Sequence, residues 1–191
     1  MVNFGYVVKS FVEERVNAYF KDIPKYIIEI GVFADTKEDI RNEYETITNK
    51  KGEKVKRKKT DKNDAGEKVL VHSDITNAEI MFIMEYGSPT NHIPARPVLE
   101  KTIKYAKENL LEKAVSEGLQ DYLMTHRIES FEKALEKMCL RMENYAKTGI
   151  RRKSLGLEPN APYTIEMKGS DIPLLDTGQL ANSIRCVYRK Y

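Results

Sequence analysis

Asp176-Thr177-Gly178 is the triplet in this 191-residue chain most easily read as chemistry. A carboxylate on a tight turn held by Thr and Gly can share one proton with a second carboxylate and activate water for hydrolysis. That use needs a β-rich surrounding and a strand after the turn. Here Gln179-Leu180-Ala181-Asn182-Ser183 follows, and it reads as a short helix. Asp176 through Gln179 then reads as a capping box opening that helix, a local role worth ~1 kcal/mol.

The other reactive side chains are scattered. His72, His92 and His126 share no i,i+4 or metal-ligand spacing. Cys139 and Cys186 are far apart in sequence. Cys139, between Met138 and Leu140 in a helical pattern, reads as a small buried hydrophobe. Both cysteines suit synthesis in a reducing compartment. Ser170, in Gly169-Ser170-Asp171-Ile172-Pro173, has no base near it in sequence and sits in a dense run of turn formers. There is no P-loop, no GxGxxG and no GxSxG. The expectation is no catalytic residue, no metal and no cofactor.

The elements that must position these residues belong to one domain spanning 1–191. Apolar residues make up 41% and charged residues 32%, a globular profile. No apolar run reaches the ~18 residues of a membrane span. The N-terminus lacks a basic segment followed by an apolar run, so no signal peptide is expected. The net charge of +3 is too weak to argue for a nucleic-acid binder, but it is unevenly placed. Residues 50–68 carry nine Lys/Arg against four Asp/Glu, a local +5. Lys54, Lys56, Arg57, Lys58 and Lys59 on this stretch could contact phosphates in a salt-dependent, non-specific way. The stretch lacks the interleaved aromatics that stack on bases. A solvated arm, or one that docks on a neighbouring subunit, accounts for it as well.

Along the chain, Phe4, Val8, Phe11, Val12, Val16 and Tyr19 predict a helix over 3–20, ended by Ile23-Pro24. Tyr26–Phe33 reads as a strand and 34–67 as a protruding basic arm or hairpin. Val69–His72 is expected to pair antiparallel with the first strand. Thr76-Asn77-Ala78-Glu79 is a capping box for a helix through Met84, with Gly87 as its left-handed stop. Pro97 suits the first turn of the next helix. Within the long helical region 97–149, one stretch runs over 97–125 with Gly118 as a kink or break. A second, over 130–149, carries Phe131, Leu135, Met138, Met142 and Tyr145 in a heptad-like seam and ends at Gly149. The seam is expected to pack inward, as an αα-hairpin or one bent helix. Residues 154–168 read as loop, and Ile184–Tyr188 as the last strand, within a turn-rich C-terminal cap over 154–191. The fold class is α+β: a small antiparallel sheet packed against long helices, with a protruding charged arm.

Three segments resemble the virion-morphogenesis and neck/tail-completion proteins of tailed bacteriophages. The first is Met84-Glu85-Tyr86-Gly87-Ser88-Pro89. The second is Ile93-Pro94-Ala95-Arg96-Pro97-Val98-Leu99, similar to an IPARPFL-type motif with Val98 where an aromatic is usual. The third starts at Pro159-Asn160-Ala161-Pro162-Tyr163-Thr164-Ile165. It continues through Lys168-Gly169-Ser170-Asp171-Ile172-Pro173-Leu174-Leu175-Asp176-Thr177-Gly178-Gln179-Leu180 to Ser183-Ile184. The resemblance implies a non-enzymatic homo-oligomeric ring in the virion, at the neck or tail top, assembled in the host cytoplasm. Its neighbours would be a connector or adaptor ring and a tail-terminator or tail-tube protein. A DNA-contacting assembly factor using the basic arm is the alternative. The Asp-Thr-Gly triplet alone resembles the active-site turn of retroviral-type aspartic proteases, a remote alternative. Physically the motifs look architectural. Arg96, between two prolines, is a candidate for a buried or intersubunit ion pair, and Lys168 and Asp171 are expected neighbours in one turn.

Overall fold

A two-stranded antiparallel sheet laid along one long helix organises the protein. The computed structural model describes residues 21, 23–34, 40–49, 51–62 and 67–190, so the expected helix over 3–20 lies outside it. Strand β1 (Tyr26–Gly31) pairs with the last strand, β6 (Arg185–Lys190), in the register Ile28 to Tyr188 and Ile30 to Cys186. This corrects the expected partner of β1. The stretch at 69–72 forms instead part of β5 (Lys68–Leu70), which pairs with β4 (Thr60–Lys62) inside the arm. Both segments have strand composition, and only tertiary packing decides between them.

Helix α4 (Ile128–Arg151) is the spine. Its buried positions, Phe131, Leu135, Met138, Met142 and Ala146 among them, recur at helical spacing and form one stripe. The stripe packs inward, as the heptad-like seam implied. Helices α2 (Val98–Asn109) and α3 (Leu111–Thr125) cover one side of it, and α3 and α4 make an αα-hairpin turned at His126 and Arg127. The long helix breaks at Leu110, not at Gly118. Gly118 lies within α3 at the closest approach to α4, where a Cβ would come 2.8 Å from the Phe131 ring. Gly149 likewise does not end its helix. It sits inside α4 against Leu155.

One end of the core gathers Met81, Val98, Ile150, Leu180, Ala181 and Ile184. The other gathers Ala106, Leu110, Met138, Cys139, Met142 and Cys186. The two cysteines, distant in sequence, meet there as buried free thiols. Their mutual hydrogen bond and burial push the Cys186 thiol far up. The sheet is fastened to α4 through Glu132, which accepts from the Tyr26 hydroxyl at 2.8 Å and pairs with Lys190 at 2.8 Å.

The arm is a β structure. Strand β2 (Tyr44–Thr48) pairs with β3 (Lys54–Lys58) through a turn in which the Asn49 side chain accepts from the amides of Lys51 and Glu53. At its base three segments exchange bonds in a cycle. Glu43 N–H donates to Val71 O, Val71 N–H to Lys59 O, and Lys59 N–H to Glu43 O, at 2.9, 3.1 and 2.9 Å. The described arm therefore extends from Ile40 to Ser73, beyond the expected 34–67.

Candidate functional site

The residues of the three motif segments converge on one junction. Helix α1 (Asn77–Tyr86) carries the expected capping box, with Glu79 N–H donating to Thr76 Oγ1 and Thr76 N–H to Glu79 Oε2. It stops at Gly87, whose φ of 76° and ψ of 176° lie outside the left-handed helical region that the sequence suggested. A Cβ at Gly87 would sit 2.8 Å from Ile93 O and 2.9 Å from Ala95 N, so only glycine fits. The loop beyond closes on itself, Ser88 and Ile93 bonding to each other's backbone, with Pro94 leading back to Arg96. Arg96 N–H then donates to Met84 O at 2.6 Å.

From that stiffened loop the Arg96 side chain crosses to the third segment. Its Nε donates to Glu158 O at 2.8 Å and its Nη2 to Pro159 O at 3.0 Å, while Nη1 lies 3.8 Å from Met84 Sδ. Arg96 is only 7% exposed. Arg96 is buried as expected, but the ion pair within the chain is corrected: among the described residues it has no carboxylate partner, and its fork clamps two main-chain carbonyls. Burial pushes its pKa down, with Glu158 opposing.

Two further clamps escaped the sequence reading. Glu85 is buried and accepts from Leu99 N–H and Glu100 N–H at 2.9 and 2.8 Å, capping α2 from outside it. Pro97 is the N-cap of that helix and offers no side-chain bond, so Glu85 supplies the missing acceptor. Lys101 donates to Leu155 O and Gly156 O. Glu85 was visible as the acid before Tyr86-Gly87, but its role depends on a helix that starts thirteen residues later.

The third segment departs from its expected local structure. Residues 162–168 are a helix, α5 (Pro162–Lys168), ended by left-handed Gly169, where a loop was expected. Pro162 in its first turn explains the start. Lys168 does not pair with Asp171. It donates to Ile172 O at 3.0 Å, while Asp171 is ion-paired with Lys153. Ser170 Oγ accepts from Ile172 N–H, the turn role anticipated.

The capping box at 176–179 does not form. Helix α6 (Gln179–Ser183) has Gly178 as N-cap, in the left-handed region at φ 79°, and receives no side-chain cap bond. Gln179 is drawn away instead. Its Oε1 accepts from Asn42 N–H at 2.8 Å and its Nε2 donates to Asn42 O at 2.9 Å, so one side-chain amide pairs with the arm as a strand would. Asp176, expected as a cap, forms an ion pair with Lys56 of the arm, and Thr177 follows it in the turn. The arm is thus clipped to the motif at two points.

Between α1, the loop at 88–97 and the third segment lies an open cavity of about 690 Å³. Arg41, His92, Arg96, Glu158, Lys168 and Asp176 supply its ionisable lining, with Asn160 among the other polar residues, and Ile80, Met84, Ile93 and Leu174 much of its apolar wall. Asn160 Nδ2 is sealed from solvent with no acceptor among the described residues. Burial pushes the Lys168 ammonium down; Asp176 opposes this, and Arg96 and Lys56 add to it.

No protein-family model, curated protein or solved structure matches this chain. Its functional reading rests on the geometry above and on the motif resemblance. Of the sequence-selected residues, the structure brings Pro94, Arg96, Pro159, Asn160, Lys168 and Asp176 to one cavity. Arg57 and Lys59 are paired along the arm with Glu45 and Glu43, and Lys54 and Lys58 have no ion pair among the described residues. No described group of three or more His, Cys, Asp or Glu could hold a metal. No helix of the described residues is long and apolar enough to cross a membrane.

Proposed function

We propose that this chain is a structural virion subunit of a tailed bacteriophage, a neck or tail-completion protein that joins copies of itself into a ring. Its site in the particle would be the head–tail junction, reached from the host cytoplasm during assembly. The observation that carries this reading is the arm. Strands β3, β4 and β5 are exposed along their whole length, and Val55, Val69 and Leu70 are each about 40% exposed. Two-stranded ribbons of this size are marginal alone in water. Yet this one is fixed by Gln179 at its base and by the Lys56–Asp176 pair midway along β3, and among the described strands none pairs with its outer edges. A positioned ribbon with unpaired edges fits an element that adds to the sheet or groove of a neighbour. Rings of identical subunits need such a heterologous contact.

The motif residues support the same reading. Arg96, Glu85, Lys101 and Gln179 direct their polar groups to main-chain atoms of other segments, which is scaffold work. Asp176 is ion-paired with Lys56, whereas the paired-carboxylate chemistry needs a second carboxyl there. A DNA-contacting role has less to draw on, because Lys56, Arg57 and Lys59 are already neutralised by Asp176, Glu45 and Glu43. Negative-stain imaging of the chain co-expressed with neck components tests the proposal. It should appear as a closed ring stacked on a connector; a chain absent from purified virions overturns it.

A further inference from the structure

We propose that the cavity between α1, the loop at 88–97 and the third motif segment is a binding site for an organic carboxylate with an apolar body. The polar groups that line it are mostly donors. Arg41, Arg96 and Lys168 bring three cationic side chains. Two acidic residues also line it: Asp176 is ion-paired with Lys56, and Glu158 is exposed, with its charge acting on Arg96. One observation asks for an acceptor. Arg96 is 7% exposed, and among the described residues its guanidinium bonds two carbonyls and a thioether and no carboxylate, with the charge of exposed Glu158 opposing its burial; a buried cation without a bonded counter-ion is costly. Asn160 lines the same cavity, with its Nδ2 closed off from solvent, so it reports on the site and is not a donor to its ligand.

Shape and wall chemistry narrow the ligand. The walls include Ile80, Met84, Ile93 and Leu174. A concave apolar wall with a few convergent donors suits a ligand having an apolar body and one anionic end. A bare phosphate would leave most of the roughly 690 Å³ unfilled, and a nucleic-acid backbone needs an open track instead of a pocket. A free acid and a glutamate on an apolar peptide segment present the same carboxylate chemistry, and the probes below separate them. The inference does not depend on ring assembly.

The test uses the full chain and two-dimensional NMR with four probes: 4-methylpentanoate, its neutral amide 4-methylpentanamide, and the capped peptide Leu-Glu-Leu beside its Leu-Gln-Leu counterpart. The carboxylate probes should shift the Asn160 side-chain amide and the Thr164 backbone amide, and bind at least about tenfold more tightly than their neutral counterparts. Binding by the free acid alone assigns the site to a small ligand; binding by the Glu peptide as well assigns it to a partner segment. Lys168→Met and Arg41→Gln should each weaken the carboxylate severalfold while leaving the unliganded melting curve cooperative. Two variants are used so that a folding defect in one leaves the other informative. Equal binding of acid and amide, or no shift at Asn160, or unchanged affinity in both variants, overturns the proposal.

Discussion

Replacing Arg96 by Met should unfold the protein at lower denaturant by a margin that the geometry sets. The guanidinium donates to Glu158 O at 2.8 Å and to Pro159 O at 3.0 Å from a position 7% exposed. A hydrogen bond from a charged donor contributes about 1.5–3 kcal/mol, so the two together contribute ~3–6 kcal/mol. Methionine fills much of the same volume and relieves the burial of a charge, which offsets part of the loss. It also strands two carbonyls, and the net destabilisation should be ~2–4 kcal/mol. Urea unfolding followed by circular dichroism reads this as a fall in the midpoint at unchanged slope. Arg96→Lys separates the two possible causes. An ammonium keeps the charge but cannot span both carbonyls with a planar fork, so it should lose nearly as much as Met. Wild-type stability in Arg96→Lys, with Arg96→Met unstable, would refute the clamp and restore the ion pair that the sequence suggested.

Gln179→Leu removes both bonds to Asn42, and hydrogen exchange at Glu43 and Val71 should accelerate by about tenfold, one to two hydrogen bonds' worth, while core amides on α4 stay protected. Equal acceleration in α4 would mean that the arm and core do not open separately. Gly87→Ala forces a Cβ against Ile93 O at a positive φ and should cost ~1–3 kcal/mol in thermal melts. The Lys190 hydrogen bond, with the Tyr26 hydroxyl adding to it against burial, holds Glu132 below the usual carboxylate range. A depressed folded-state pKa stabilises the protein above the unfolded value near about 4.3 and is lost as pH falls through the lower folded value. Stability should therefore drop on acidification below about pH 4.3, and Glu132→Gln should flatten that drop in denaturation series run against pH.

What was legible in the sequence was local. The Thr76–Glu79 box forms as written because its four residues are neighbours whatever the rest of the chain does. The α4 stripe was readable because helical period alone places Phe131, Leu135, Met138 and Met142 on one face, and burial on that face is what holds the helix. The α+β class with a small sheet on long helices follows from such elements. The partnerships were not legible. Two strand-like segments, at 69–72 and 184–188, competed for β1, and their composition does not choose between them. Asp176 and Gln179 carry a valid cap signature, yet long-range bonds to Lys56 and Asn42 prevail over the local ones. A glycine in a helix reads as a weak point, but Gly118 and Gly149 are there for close approach to Phe131 and Leu155. For the break at Leu110 the residues offer no local signal, and none is visible in the packing.

Within the candidate site, Arg96, Asn160 and Lys168 were selected by type and motif, and the cavity confirms their proximity. Arg41, at the base of the arm, was not selected because nothing near it in sequence marks it. Its place depends on the bond from Nη1 to Asn77 Oδ1 at 3.3 Å and on how the arm base folds back over α1.

The arm-mediated ring is tested most directly by the mass of the particle in solution. Mass photometry of the full chain should be compared with a variant in which residues 45–57 are replaced by a short Gly-Ser turn and whose core melting is unchanged. A closed multimer in the full chain that falls to monomer in the shortened one is the predicted result. The same multimer in both, or monomer in both with and without the neck components, would contradict the account.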